Sequence, residues 1–198
     1  ITFFKVVYRR HTNFSMEAIQ QTFNGSVGYG NRVSATISRN GDLVSRMYYE
    51  VDVTGLDATN DDSCANFGSA LIKDVECEIG GQKIDKHYGH WMEAWAELTE
   101  SNSSGHVSVI ATGASTTGTK LQNMAMMGGC EGLTGVGATS FNTLWIPLQF
   151  WFCRNPGLAL PLIALQYHEV KIITTFEAEA NILTAGGSPA SGSTLDAK

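Results

Sequence analysis

Charge is scarce in this chain of 198 residues: Asp, Glu, Lys and Arg together make up 16% of it. With 13 basic and 19 acidic residues the net charge is −6, which excludes a broad nucleic-acid surface, since that needs clustered cations. The one basic cluster (Lys5, Arg9, Arg10, His11) reads as a solvated strand end, with a polyanion or partner contact as the sharper alternative. Histidine is rarer still. Five scattered copies do not supply the several ligands on adjoining strands that a cupin-type metal enzyme needs. The four cysteines, Cys64, Cys77, Cys130 and Cys153, form no CxxC and no short-loop framework. Cys77 and Cys153 fall inside predicted strands, so buried free thiols and a reducing compartment are expected. No apolar run is long enough to span a membrane, because the longest is interrupted by Gln149, Arg154, Asn155 and three prolines. No secretory signal is evident, and the chain opens on Ile1 within a strand-like alternation, as an excerpt of a longer polypeptide would.

What is abundant is glycine, at 21 residues, and alternating apolar sequence. The densest stretch runs from Thr143 to Thr175. Read at period two, Leu144, Ile146, Leu148, Phe150 and Phe152 share one face, and Trp145, Pro147, Gln149 and Trp151 the other. Burying those five apolar side chains is worth roughly 8 to 15 kcal/mol gross, at about 1.5 to 3 each. Arg154-Asn155-Pro156-Gly157 turns the chain. After a proline-split apolar crossover, a second strand starts near His168, with Val170, Ile172, Thr174 and Phe176 on one face.

Taken in order, Ile1–Arg10 alternates as a strand. Ser15–Phe23 has helical spacing at Met16, Ile19 and Phe23, against which the resemblance given below implies a strand. Val33, Ala35 and Ile37 form a strand, and Asn40-Gly41 predicts a tight hairpin turn with φ > 0 into a return strand from Leu43 to Val53. Its inward face is Leu43, Met47, Tyr49, Val51 and Val53. Asp57–Ser69 reads as an acidic loop. Leu71–Ile79 points Leu71, Val75, Cys77 and Ile79 inward and Asp74, Glu76 and Glu78 outward. Gly80-Gly81 turns it into Gln82–Tyr88. The one convincing helix is His90–Thr99, with Trp91, Trp95 and Leu98 at i, i+4 and i+7. Ser101–Asn142 holds eight glycines and reads as a long functional or mobile loop. About eight strands with one short helix predict an all-β jelly-roll sandwich over residues 1–178, with 179–198 as a linker or frayed end. The Asn-Gly hairpin sits uneasily with that fold, because most jelly-roll connections cross between sheets.

Reactive constellations are hard to assemble. Gly113–Lys120 nearly spells a phosphate-binding loop, but Leu121 stands where Ser or Thr should bind magnesium. His87 and His90 beside Asp85 offer two metal ligands and no third. His168-Glu169 lacks a placed nucleophile. The expectation is no enzyme, no cofactor and no metal. Candidate interface residues are Trp91, Trp95, Trp145 and Trp151, more apolar aromatic surface than one sandwich interior needs. Sequons occur at Asn13, Asn24 and Asn102, and Asn102 is the best-placed glycan candidate.

The run IPLQFWFCRNPGLALPLIALQYHEVKI resembles the major capsid proteins of nucleocytoplasmic large DNA viruses. ITFFKVVYRRHTNF with SMEAIQQTFNG, and IGGQKIDKHYGHWMEAWAELT, are similar to the same family. The three blocks cover about half the chain in the family's order. The resemblance implies the first of two consecutive jelly rolls, with the second beyond the given chain. It implies homotrimers forming pseudo-hexagonal capsomers that tile an icosahedral virion shell, assembled in the host cytoplasm around an internal membrane. Neighbouring capsomers and minor capsid proteins are the implied partners, with no direct nucleic-acid contact. The family's long inter-strand loops would place Ser101–Asn142 on the capsomer exterior. A carbohydrate-binding, lectin-like sandwich is the alternative; it would need exposed aromatics flanked by Asp and Asn in one cluster.

Overall fold

The fold is that of a computed structural model, which describes residues 12–55, 61–102, 105, 118–132, 143–185, 188–189 and 192–198. Period-two sequence sets its first half. The strands are β1 (Phe23–Asn24), β2 (Arg32–Thr36), β3 (Leu43–Val44), β4 (Tyr48–Thr54) and β5 (Asp61–Ser63), followed by a helical turn α1 (Phe67–Ala70). Then come β6 (Ile72–Ile79), β7 (Gln82–Tyr88), and helices α2 (Gly89–Thr99) and α3 (Lys120–Ala125). The remainder is β8 (Leu144–Pro147), α4 (Trp151–Arg154), β9 (Leu160–Pro161), β10 (Val170–Phe176), α5 (Glu179–Ile182), β11 (Leu183–Ala185), β12 (Ser188–Pro189) and β13 (Thr194–Ala197).

Two sheets face one another. One has the order β1-β2-β10-β6-β7, the other β13-β4-β8, and both are antiparallel throughout. Val33, Val75, Cys77, Ile172 and Phe176 from the first meet Tyr49, Val51, Val53, Leu144, Ile146, Leu195 and Ala197 from the second in a single core. The Tyr49 ring lies 5.8 Å from Phe23 and 6.4 Å from Phe176, and its hydroxyl is hydrogen-bonded to Thr174 Oγ1 across the interior. That bond satisfies two hydroxyls that burial would otherwise leave stranded. Strands crossing between two packed antiparallel sheets make this a jelly-roll sandwich. The alternations at β4, β6 and β10 place their apolar residues inward as expected. Gly80 and Gly81, at φ 59° and 83°, make the turn between β6 and β7.

Several expectations fail, each for a tertiary reason. Asn40-Gly41 makes no hairpin: β2 pairs with β1 and β10, β4 with β8 and β13, and Gly41 is not in the left-handed region. The connection crosses between sheets, β3 pairs with β9, and Leu43 stays exposed. Leu144–Phe152 is not one strand. The ladder stops at Pro147, which has no N–H to donate, and the chain closes into α4. All five inward residues, Leu144, Ile146, Leu148, Phe150 and Phe152, are nonetheless buried. Within the expected acidic loop, β5 pairs with β11, and α1 buries Phe67. Of Ser15–Phe23 only Phe23 is in a strand. The expected strand Ile1–Arg10 lies outside the described residues. In the tail expected to fray, β13 pairs with β4 along Thr194–Ala197 and buries Leu195 and Ala197.

Glu76 points away from the core, yet it is buried. It takes Arg32 at 2.9 Å, Lys86 at 2.9 Å and Lys83 at 3.2 Å, and those long side chains roof it over. Hydrogen bonding to Lys86 holds its carboxyl below the ordinary range, with Lys83 adding to the effect. Among the described residues no helix is long and apolar enough to cross a membrane.

Candidate functional site

The aromatic residues assemble into a continuous ladder of six rings. Trp95 stacks on Trp91 at 5.6 Å, Trp91 lies 5.2 Å from His87, and His87 meets Phe150 edge-on at 4.6 Å. Phe150 stacks on Phe152 at 5.6 Å, and Trp151 meets Phe152 edge-on at 5.0 Å. The ladder ties α2 to the turn after β8. The Arg154 guanidinium covers its outer end, 5.0 Å from the Trp95 ring and 5.7 Å from Trp91. A planar cation over indole faces is favoured by the ring quadrupole, so the exposed end of the ladder is already partnered.

The helix stripe read from sequence is therefore rotated. Met92 and Ala96 form the buried edge of α2, Trp91 and Trp95 flank it half-buried, and Leu98 is 83% exposed. Of the four candidate tryptophans, Trp91, Trp95 and Trp151 belong to the ladder. Trp145 stands apart on the outer face of the β13-β4-β8 sheet, 43% exposed and opposite Glu50 in the register, beside the Tyr48↔Pro147 pair. The acids nearby are engaged: Asp52 accepts from Thr143 Oγ1 at 2.7 Å, and Glu50 lies 3.9 Å from Lys198 Nζ. The four candidate tryptophans thus fall into two separate places, the ladder and the outer face of the β13-β4-β8 sheet.

His87 sits at the middle of the ladder. Its Nε2 is buried without a hydrogen-bond partner, and burial pushes its pKa down to about 4, with Asp85 opposing and Arg154 adding to the shift. It is thereby parted from His90, which is exposed on α2. Among the described residues no group of three or more His, Cys, Asp or Glu could hold a metal ion. The cysteines are unpaired. Burial raises every one of their thiol pKa values, Cys77 and Cys130 to about 12 and Cys153 to about 11, which leaves them unreactive.

A second structure, missed from sequence, organises the described part of the Gly/Ser/Thr-rich region. Met126–Cys130 runs through the interior against α1 and α2. Glu93 Oε1 accepts from the backbone N–H of Gly128 at 2.9 Å and Gly129 at 3.3 Å, while its Oε2 accepts from Ser69 Oγ at 2.6 Å. Asn66 Oδ1 accepts from Gly129 and Cys130. Gln122 is fully buried and donates to the carbonyls of Gly105 and Gly128. The sequence signal was the capping box Thr119-x-x-Gln122, whose reciprocal bonds start α3. Lys120 of the near phosphate-loop motif is simply the first helical residue; residues 113–117 of that motif lie outside the described ones. Asn102 is half-buried, and its Nδ2, the atom a glycan would occupy, donates to Gly105 O at 2.8 Å.

The fold, the aromatic ladder and the exposed Trp145 define a jelly-roll sandwich of the kind found in capsid, lectin and cupin proteins. Comparison with known proteins narrows the class. The family model for the major capsid protein N-terminus matches residues 2–196, and the chain belongs to that family. The major capsid protein of Pyramimonas orientalis virus is 53% identical over 196 residues, covering 94% of this chain and 44% of that protein. That of Paramecium bursaria Chlorella virus 1 is 43% identical over 190 residues, covering 96% of this chain and 39% of that protein. The quasi-atomic structure of the PBCV-1 virus capsid superposes with a TM-score of 0.68 at 37% identity, over 99% of this chain and 44% of that one. The chain spans less than half the length of these relatives.

Proposed function

We propose that this polypeptide is the first jelly roll of a subunit that builds a virion shell. Three subunits, each with a second jelly roll beyond residue 198, form a pseudo-hexagonal capsomer, and capsomers tile an icosahedral capsid. The carrying observation is the family match over residues 2–196, together with the superposition on a capsid jelly roll across nearly the whole chain. The work is done by interfaces and not by catalysis, with no cofactor. Trp145 with Tyr48 and Pro147 is the first candidate contact; the ladder end at Trp91 and Trp95 is the second. Ser101–Asn142 faces outward on the capsomer. The outward reading applies to that segment apart from Met126–Cys130, which is buried and held by Glu93 and Asn66. Assembly takes place in the host cytoplasm, with minor capsid proteins and an internal membrane as neighbours. The test is to purify the full-length protein and image it. Three-fold particles are expected. A monodisperse monomer at assembly concentrations would overturn the proposal.

A further inference from the structure

Beyond the capsid role, and independent of it, we propose that His87 is an acid-operated latch that holds α2, and through Glu93 the Met126–Cys130 segment, against the sandwich. The imidazole is 6% exposed, wedged between Phe150 and Trp91, and its Nε2 has no partner to share an added proton. A neutral ring suits that site, and an imidazolium does not, because a buried charge needs a hydrogen-bonded partner.

The surroundings set how strongly acid acts. From its own strand, Asp85 faces His87 and favours the charged form; from α4, Arg154 opposes it. The register partner on β6 is Val75, and the neighbours from α2 and from the segment after β8 are the Trp91 and Phe150 rings, all uncharged. Among the described residues, the carboxylate acting on His87, Asp85, is thus set against a cation that is itself fixed on Trp91 and Trp95. Once α2 lifts away, the imidazole returns to water and to its ordinary affinity for protons.

The latch is stable above the open-state pKa of 6.5, and its stability is lost as pH falls from there toward the latched value of about 4. Between pH 7.5 and pH 5 the linkage raises the open population by about 30-fold. Opening is communicated outward. Glu93, two residues along α2 from Trp91, holds the Gly128 and Gly129 N–H groups, so displacing the helix removes one of the two side chains that anchor Met126–Cys130, leaving Asn66.

Hydrogen exchange of the full-length protein, followed by mass spectrometry and corrected for the intrinsic pH dependence, tests this. At pH 5 relative to pH 7.5, opening of peptides over Gly89–Thr99 and Met126–Cys130 is expected to rise about 30-fold, with β10 unchanged. His87→Phe should abolish the rise. Should that variant fold poorly, two others read the same latch in opposite directions at pH 4, where the latched ring itself titrates: Asp85→Asn enlarges the rise by up to about two-fold and Arg154→Met reduces it. A wild-type protein with no selective rise in α2, an equal rise in His87→Phe, or Asp85→Asn and Arg154→Met shifting the same way would each overturn the proposal.

Discussion

Replacing Gly89 by alanine should destabilise the protein, although alanine is the better helix former. In an open helix the exchange gains up to about 1 kcal/mol. Here a Cβ on Gly89 would stand 2.0 Å from the Ser69 carbonyl oxygen and 2.4 Å from that of Ile72. Both obstacles are backbone atoms, at the end of α1 and the start of β6, so neither can swing aside as a side chain would. Overpacking a rigid site costs about 1 to 3 kcal/mol, and a backbone-to-backbone clash belongs at the upper end. Net of the helix gain, a loss of about 2 kcal/mol is expected, which lowers Tm by about 4 to 8 °C in a chain of this size. The control is Gly41→Ala. Gly41 has open space around it and no left-handed φ, so the change should be neutral or raise stability by about 0.4 to 1 kcal/mol through the unfolded chain. Both are read by thermal melting beside wild type. A Gly89→Ala protein that melts at or above the wild-type temperature would refute the close-approach argument.

Further expectations follow from the same geometry. Phe150→Ala, emptying a fully buried site in the ring ladder, should cost about 3 to 5 kcal/mol in denaturant unfolding. Trp145→Ala should change folding stability by no more than about 0.5 kcal/mol yet weaken particle formation by light scattering; intact assembly would remove Trp145 from the interface. Glu93→Ala leaves the Gly128 N–H without its acceptor, at about 1 to 3 kcal/mol, while Gly129 keeps Asn66 Oδ1, and should admit protease between residues 118 and 132 earlier than in wild type. Because Lys86 and Lys83 lower the Glu76 pKa from 4.5, the stability it contributes is present above that value and lost as pH falls below it. Glu76→Gln should therefore flatten the acid limb of a pH–stability curve; an unchanged limb would show that the cationic roof contributes nothing.

Local pattern was enough to determine which residues are buried in the strongest strands. Val170, Ile172, Thr174 and Phe176 are inward in β10, and Leu144 through Phe152 alternate into the core even where the strand itself gives way to a helical turn. A period of two records which side of the backbone meets apolar surface, and that holds through the extended Phe150; Phe152 is buried from within the helical turn that follows. The helix at Gly89–Thr99 was legible too, though its buried edge was not, because Trp91 and Trp95 are large enough to flank a core that Met92 and Ala96 enter. Pairing was decided only by the tertiary structure. Asn40-Gly41 suits a hairpin locally, but β2 gains two neighbours by joining β1 and β10, and the turn yields to that longer-range arrangement. The Gly/Ser/Ala-rich stretch after Ala178 looks like a linker until β4 supplies an edge for Thr194–Ala197 to pair with. The same holds for Glu76, roofed by cations from two other strands, and for Gly89, where two carbonyls meet from elements about 20 residues away in sequence. Such contacts depend on which surfaces the whole chain brings together, and no window of neighbouring residues contains that information.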